Sequence, residues 1–157
     1  MKKILLFLFV LATITLAVEG EKCDTCAANK EYVKCGHYVE MKGDLSYQNS
    51  CLVFAQSILE GNSFSRASWY FLVGGDFDNA IKAGKKSLEA KEYFVAELIA
   101  EAYILKGDKE NAKKYFRLLK KKVPPEVLFL KKHFEILARL YPDKFDSDSA
   151  KQLLQES

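Results

Sequence analysis

The sequence predicts an all-α fold in which antiparallel helical hairpins follow one another as an array. A Gly-Asp pair occurs three times at a constant interval of 32 residues, at residues 43–44, 75–76 and 107–108. The segments between these pairs carry apolar residues at helical spacing, and no alternating run closed by a tight turn is present. Helix-breaking pairs at equal intervals between helical segments indicate a repeat array.

The boundaries of the expected helices follow from glycine, aspartate and proline. Glycine ends a helix because it adopts left-handed dihedral angles without strain, and proline cannot continue one. An aspartate after the glycine can cap the next helix by accepting a backbone N–H. Each Gly-Asp pair should therefore end one helix and begin its antiparallel neighbour. The expected helices are 26–42, 46–60, 63–74, 76–89, 92–106, 108–122, 125–141 and 147–155.

The charge pattern separates inner from outer helices. The segment 92–106 has few charges and a wide apolar stripe, which predicts burial on more than one side. The segment 108–122 carries seven basic residues and one apolar stripe, which predicts an outer helix with a solvated basic face. Binding of an anionic surface is the alternative interpretation of that face. The polar segment 143–155 is expected to cap the array.

The first 20 residues have the pattern of a signal peptide. Lys2 and Lys3 precede an apolar run over residues 4–16, and the small residues Ala17 and Gly20 follow. Because the run is shorter than the ~20 apolar residues of a spanning helix, we expect cleavage and export rather than an uncleaved anchor. Residues 21–157 then form a single exported domain, periplasmic or secreted, with no stable membrane insertion.

Charge and motif content restrict the function classes. Loss of residues 1–20 leaves 22 basic and 20 acidic residues, and this near neutrality argues against a nucleic-acid partner. The chain has no Gly-rich phosphate loop, no HExxH helix and no serine elbow. We therefore expect neither a cofactor nor catalysis, and no metal site outside the cysteine segment.

Aligned on the Gly-Asp pairs, the units share further residues. Seven residues before each glycine the side chain is small, and four residues before it the side chain is larger and apolar. Alanine follows the second and third glycines by five residues, whereas Gln48 takes this place in the first unit. A weaker fourth unit appears in a shifted frame. The small residues are Gly36, Ser68 and Ala100, and the larger apolar ones are Val39, Phe71 and Tyr103. The alanines are Ala80 and Ala112. The fourth unit has Phe134, Leu137, Ala138, Tyr141 and Ala150 at the corresponding small and large positions.

With these positions, the chain resembles the tetratricopeptide repeat family over residues 27–123, most clearly at 75–81. Its period of 32 departs from the family's ~34 residues. The resemblance implies a right-handed TPR-like solenoid of about three to four units, whose concave groove binds a protein or peptide. Trp69, the only tryptophan, is either an anchor in this groove or a core residue between hairpins. The expected groove residues are His37, Trp69, Phe94, Glu97, Glu101 and Ile104, with the two glutamates as its polar lining.

Cys35 and Cys51 lie eight residues before and after Gly43. In a hairpin that turns at this glycine, equal offsets place the two side by side, within the ~4.4–6.8 Å between Cα atoms that a disulfide requires. Because an exported chain meets an oxidising compartment, we expect a Cys35–Cys51 disulfide that staples the first hairpin.

Cys23 and Cys26 leave several interpretations open. One is a local disulfide between them, and a second is crosswise pairing with Cys35 or Cys51. A third is a redox pair, and a fourth is a zinc site completed by Cys35 and His37. A thioredoxin-like site would need a strand that the sequence does not predict. The alternative function is accordingly an exported thiol-redox or metal-binding protein that uses Cys23 and Cys26 on the same helical scaffold.

Overall fold

A computed structural model describes residues 32–125 and 128–157, and this part of the chain is an array of eight α-helices with no strand. The expected signal peptide, Cys23 and Cys26 lie outside the described residues. Two 3-10 turns, Leu45–Tyr47 and Tyr93–Val95, precede α2 and α5. The helices are α1 (Tyr32–Lys42), α2 (Gln48–Glu60), α3 (Phe64–Gly74), α4 (Phe77–Glu89), α5 (Ala96–Leu105), α6 (Lys109–Lys122), α7 (Leu130–Leu140) and α8 (Ser147–Gln155).

Consecutive helices from α1 to α6 pack against each other as hairpins around one hydrophobic core. The turns between hairpin partners confirm the role expected of the glycines. Gly43, Gly75 and Gly107 have φ angles of +66°, +88° and +78°, the left-handed region in which a side chain would be strained. The all-α hairpin array predicted from their spacing is therefore correct.

The aspartates cap the helices that follow. Asp76 and Asp108 each accept a hydrogen bond of 3.0 Å from the backbone N–H three residues ahead. The Asn111 side chain and backbone N–H, both donating to Asp108, hold the pKa of that carboxyl below its usual value. Asp44 instead accepts from the N–H of Ser46 and caps the first 3-10 turn.

Small residues permit the helices to cross closely. Ser68 and Ala100, at the small position of the second and third units, are fully buried. Ser68 also donates a 2.8 Å hydrogen bond to the carbonyl of Ala80 on the partner helix. A Cβ atom at Gly36 would lie 2.7 Å from the Tyr70 ring, so only glycine fits there without a shift. The repeat positions read from the sequence are thus the packing positions of the array.

The expected helix starts differ from the structure at three places. The segments expected as helix from residues 46 and 92 begin with 3-10 turns, and their α-helices start at Gln48 and Ala96. The helix expected from residue 125 starts only at Leu130. Prolines 124 and 125 both lack the backbone N–H of a helical ladder, and they disfavour helical geometry in the residue before them.

The predicted Cys35–Cys51 disulfide is wrong. Both residues are fully buried, but Cys51 is a thiol. The 3-10 turn Leu45–Tyr47 lengthens the connection between α1 and α2, so that α2 starts only at Gln48. This turn breaks the symmetry of the hairpin on which the expectation from equal offsets depended. The alternatives stated for Cys23 and Cys26 stay predictions.

The position of α7 was not expected from the sequence. Arg139 near its end donates to the backbone carbonyl of Glu40 in α1. The hydroxyl of Tyr141, just after α7, lies 2.8 Å from the carbonyl oxygen of Leu72 and 2.9 Å from that of Val73, both in α3. These bonds join residues 68 to 99 positions apart in the chain. The fourth hairpin thus folds back so that α7 lies against helices of earlier units.

The remaining helix, α8, packs against α6 and α7 and ends the array. Its N-terminal carboxyl, Asp146, accepts a 2.6 Å hydrogen bond from the N–H of Ser149. On its inner side Ala150 and Leu153 are buried, while most of its polar residues face outward. None of the helices in residues 32–125 and 128–157 is long and apolar enough to cross a membrane.

Candidate functional site

A cavity of about 460 Å³ lies between α3, α7 and the start of α5. Two of its aromatic residues, Phe94 and Phe129, are 46% and 64% exposed, which is unusual for phenylalanine in a folded domain. Both come from segments just before a helix, so they stand at the rim rather than in the core. The lining residues are Ser65, Arg66, Trp69, Phe94, Glu97, Leu98, Phe129 and His133.

The Trp69 side chain is held in place from two directions. Its indole N–H donates a 2.6 Å hydrogen bond to the carboxylate of Glu40. Its ring stacks on the His133 imidazole with a centroid separation of 4.4 Å and an interplanar angle of 22°. The Phe129 ring also stacks on His133, at 6.2 Å. Trp69 therefore serves both as a contact between α3 and α7 and as a wall of the cavity.

Beneath the aromatic residues lies a cluster of three buried ionisable groups. Glu97 and Glu101 are four residues apart on one face of α5, and they face His133 on α7. The His133 Nδ1 atom is 2.8 Å from Glu97 Oε1 and 3.5 Å from Glu101 Oε1. Glu97 is 3% exposed and Glu101 is fully buried. A pair of carboxylates that the sequence predicts as a polar groove lining is thus part of the interior.

The cluster has ion-pair distances without complete hydrogen bonding. Glu97 Oε1, both carboxylate oxygens of Glu101 and His133 Nδ1 are all buried, yet none meets the geometry of a hydrogen bond. The 2.8 Å contact is therefore an electrostatic approach in which the N–H is not directed at the oxygen. Because buried polar groups in folded proteins almost always have partners, four unsatisfied atoms in one place require an explanation.

Burial and mutual attraction oppose each other in this cluster. Burial raises the pKa of Glu101 to about 7, although the neighbouring His133 charge and hydrogen-bonding capacity act to lower it. Burial alone would lower the pKa of His133, but the Glu101 and Glu97 carboxylates outweigh it and raise that pKa to about 10. At neutral pH the imidazole is accordingly protonated when these three groups have no other partner.

The structure brings together four of the six residues expected in the groove. Trp69, Phe94 and Glu97 line the cavity, and Glu101 lies directly beside it. His37 is exposed on α1, where its ring contacts only the edge of Tyr38 among the aromatic contacts of the described residues. Ile104 lines a different cavity of about 410 Å³ between α6 and α8. The groove inferred from regular stacking is therefore divided.

His133 and Phe129 are site residues that the sequence interpretation missed. Their contribution depends on α7 lying against α3 and α5, which a regular array does not require. The apolar residues of α7 form one stripe, which predicts one buried face but does not indicate which helices cover it. The buried residues of α7 are Phe134, Ile136, Leu137 and Leu140.

Comparison with known proteins agrees with this architecture. A family model described as tetratricopeptide repeat matches residues 98–125, which cover most of α5, all of α6 and the first prolines after it. No curated protein and no solved structure gives a significant match to the chain. Tetratricopeptide domains generally bind proteins or peptides, and the match suggests a protein-interaction module. The chain is therefore a tetratricopeptide-like repeat protein.

Proposed function

We propose that this protein is an exported interaction module that binds a peptide or protein partner at the aromatic cavity between α3, α5 and α7. The observation that carries the proposal is the pair of exposed rings, Phe94 and Phe129, at the rim of a preformed cavity. Exposed aromatic residues beside a pocket are the usual anchors of an interface. The cavity volume of about 460 Å³ lies in the ~300–1,000 Å³ range of ligand sites.

Because α7 lies across the site, it restricts how a peptide or protein partner can bind. In a regular array an extended peptide would lie along the first helices of several hairpins. Here Arg139 and Tyr141 attach α7 across α1 and α3, so that path is interrupted. A partner that inserts one or two apolar side chains between Phe94 and Phe129 fits the geometry better than a long extended strand. The role is binding rather than catalysis, as is typical of tetratricopeptide domains.

The binding site is tested with a displayed library of random peptides selected against residues 21–157. Peptides with an apolar or aromatic anchor should be enriched, and the double variant Phe94→Ala, Phe129→Ala should bind them at least about tenfold more weakly, since hot-spot rings commonly contribute ≥ 2 kcal/mol. Binding is measured by fluorescence anisotropy. The two rings are largely exposed, so their loss should leave the fold intact.

Leu45→Ala serves as the matched control for the library experiment. Leu45 is 48% exposed, like Phe94, but it belongs to the first 3-10 turn and does not line the cavity. This variant should bind the selected peptides as tightly as the original chain. If the double variant also binds them with unchanged affinity, the proposed site is wrong.

We further propose that the exported chain has a disulfide between Cys35 and either Cys23 or Cys26. The support for this proposal is that Cys35 is fully buried and lies near the start of α1, only 12 and 9 residues after Cys23 and Cys26. A bond from α1 to the segment before it would fasten the start of the array, where the repeat pattern is weakest. Such a bond forms readily only in an oxidising compartment, in agreement with the signal-peptide prediction.

The disulfide is tested by peptide mapping of the unreduced, alkylated protein after export. Trypsin should yield residues 23–30 linked to residues 35–42, because cleavage after lysine places Cys23 and Cys26 in one peptide and Cys35 in another. Reduction should separate the two. The peptide 43–66, which contains Cys51, is the internal control and should not be linked to 35–42. Recovery of 35–42 as an alkylated single peptide would contradict the proposal.

A further inference from the structure

We propose that Glu97, Glu101 and His133 form a binding site for a divalent transition-metal ion, for which Zn²⁺ is the best fit. The site joins α5 to α7 and shares Glu97 and His133 with the wall of the aromatic cavity, but the argument for it does not rest on peptide binding. It also does not use the cysteines, which are the metal ligands that the sequence suggests. One carboxylate oxygen from each glutamate and one imidazole nitrogen lie within 4.8 Å of one another.

The separations of the donor atoms suit a small ion. Zinc bonds to nitrogen and carboxylate oxygen are ~2.0–2.2 Å long, so two donors of a tetrahedral site lie roughly 3.3–3.6 Å apart. His133 Nδ1 is already 3.5 Å from Glu101 Oε1 and 2.8 Å from Glu97 Oε1. The three donors lie within 4.8 Å of one another, so side-chain shifts of about 1 Å would bring them to a common ion.

The unsatisfied atoms provide a second and independent argument. Glu101 is fully buried, and neither of its oxygens has a hydrogen-bond partner. Burying a carboxylate without a partner is costly, and proteins avoid it by pairing the charge or binding a metal. Two carboxylates and a neutral imidazole carry a charge of −2, which one divalent ion balances. Bound by one oxygen of each glutamate and by the imidazole, the same ion would satisfy three of the four unsatisfied atoms of the cluster.

The types of donor indicate the class of metal. Imidazole favours zinc and other later first-row ions, whereas all-oxygen sites are typical of Mg²⁺ and Ca²⁺. Three protein ligands leave one tetrahedral position open, as in sites where water or a partner's side chain completes the shell. Glu97 and His133 also line the 460 Å³ cavity, so the site lies directly beside it.

The proposal is tested first with metal-stripped, unreduced protein covering residues 21–157. Titration with ZnCl₂ against a chromophoric chelator should give one tight site per chain, and Zn²⁺ should raise the thermal unfolding midpoint. Mg²⁺ should do neither. Co²⁺ as a spectroscopic probe should give visible bands of a tetrahedral nitrogen–oxygen site without the near-ultraviolet band of a thiolate ligand. A thiolate band, or no stabilisation by Zn²⁺, would overturn the assignment.

Variants then assign the ligands. Glu101→Gln and His133→Gln should each weaken Zn²⁺ binding by at least about tenfold, because they remove a direct ligand. Glu156→Gln is the control, since this carboxylate is exposed beside the other cavity and should not alter the affinity. Circular dichroism verifies that each variant is folded. If a ligand variant does not fold, the Co²⁺ spectrum of the unaltered chain decides the question. Unchanged affinity in a folded Glu101→Gln protein would show that the cluster is an ion pair only.

Discussion

Replacing Phe134 by alanine is expected to lower the free energy of unfolding by about 3–5 kcal/mol. The ring is 2% exposed and lies between two other buried phenylalanines. Its centroid is 6.4 Å from that of Phe116 on α6 and 5.5 Å from that of Phe145 in the turn after α7. The truncation leaves a cavity at the point where the fourth hairpin attaches to the third. Chemical denaturation followed by circular dichroism measures the change.

Phe134→Ala should destabilise the fourth hairpin more than the earlier hairpins. Each unit of a repeat array contacts mainly its neighbours, so α7 and α8 should lose protection from hydrogen exchange before α3 and α4. Glu135→Ala, an exposed change on the same helix, should cost under about 0.5 kcal/mol. A loss below about 1 kcal/mol for Phe134→Ala would mean that the phenylalanine cluster does not hold the fourth hairpin.

Replacing His133 by alanine in metal-free protein at neutral pH is expected to cost about 3–5 kcal/mol, the range for removing one partner of a buried ion pair. The side chain of His133 is only 18% exposed, and those of Glu97 and Glu101 are 4% and 0% exposed. Without the imidazolium, two neighbouring carboxylates remain buried with no positive charge beside them. Loss of the stacking between His133 and Trp69 adds to the effect.

A second substitution separates charge from packing in the His133→Ala variant. Glu101→Gln removes one buried carboxylate, so the double variant should be more stable than His133→Ala alone, although the packing defect is the same. Lys132→Ala, an exposed neighbour on α7, serves as the control and should be nearly neutral. If the two changes are simply additive, buried charge is not the source of the loss. All measurements use a chelator so that bound metal does not contribute.

Much of the hairpin array could be predicted because its signals are local. The left-handed dihedrals of Gly43, Gly75 and Gly107 depend on a residue without a Cβ atom, and this requirement is visible in one sequence. The helix expected at 147–155 matches α8, since Asp146 caps its start. Helix starts were wrong where a 3-10 turn intervened, as at Tyr93–Val95, because such turns have no strong sequence signal.

The candidate site was only partly predictable. The resemblance to tetratricopeptide repeats placed Trp69, Phe94, Glu97 and Glu101 on the first helices of their hairpins, and these four do lie together. It placed His37 and Ile104 there as well, because regular stacking would continue the groove across every unit. The burial of Glu101 was not foreseen, since its spacing from Glu97 suits an exposed helix face equally well.

The sequence by itself determined the hairpins, their turns and the small residues at helix crossings, because each depends on residues within about one repeat of each other. Only the tertiary structure decided where α7 lies, which carboxylates are buried and that His133 meets them. Those outcomes depend on contacts such as Arg139 with Glu40 and Tyr141 with Val73, which join residues 68 to 99 positions apart. Local propensity and spacing do not encode pairings at that distance, and the packing of the whole array selects among them.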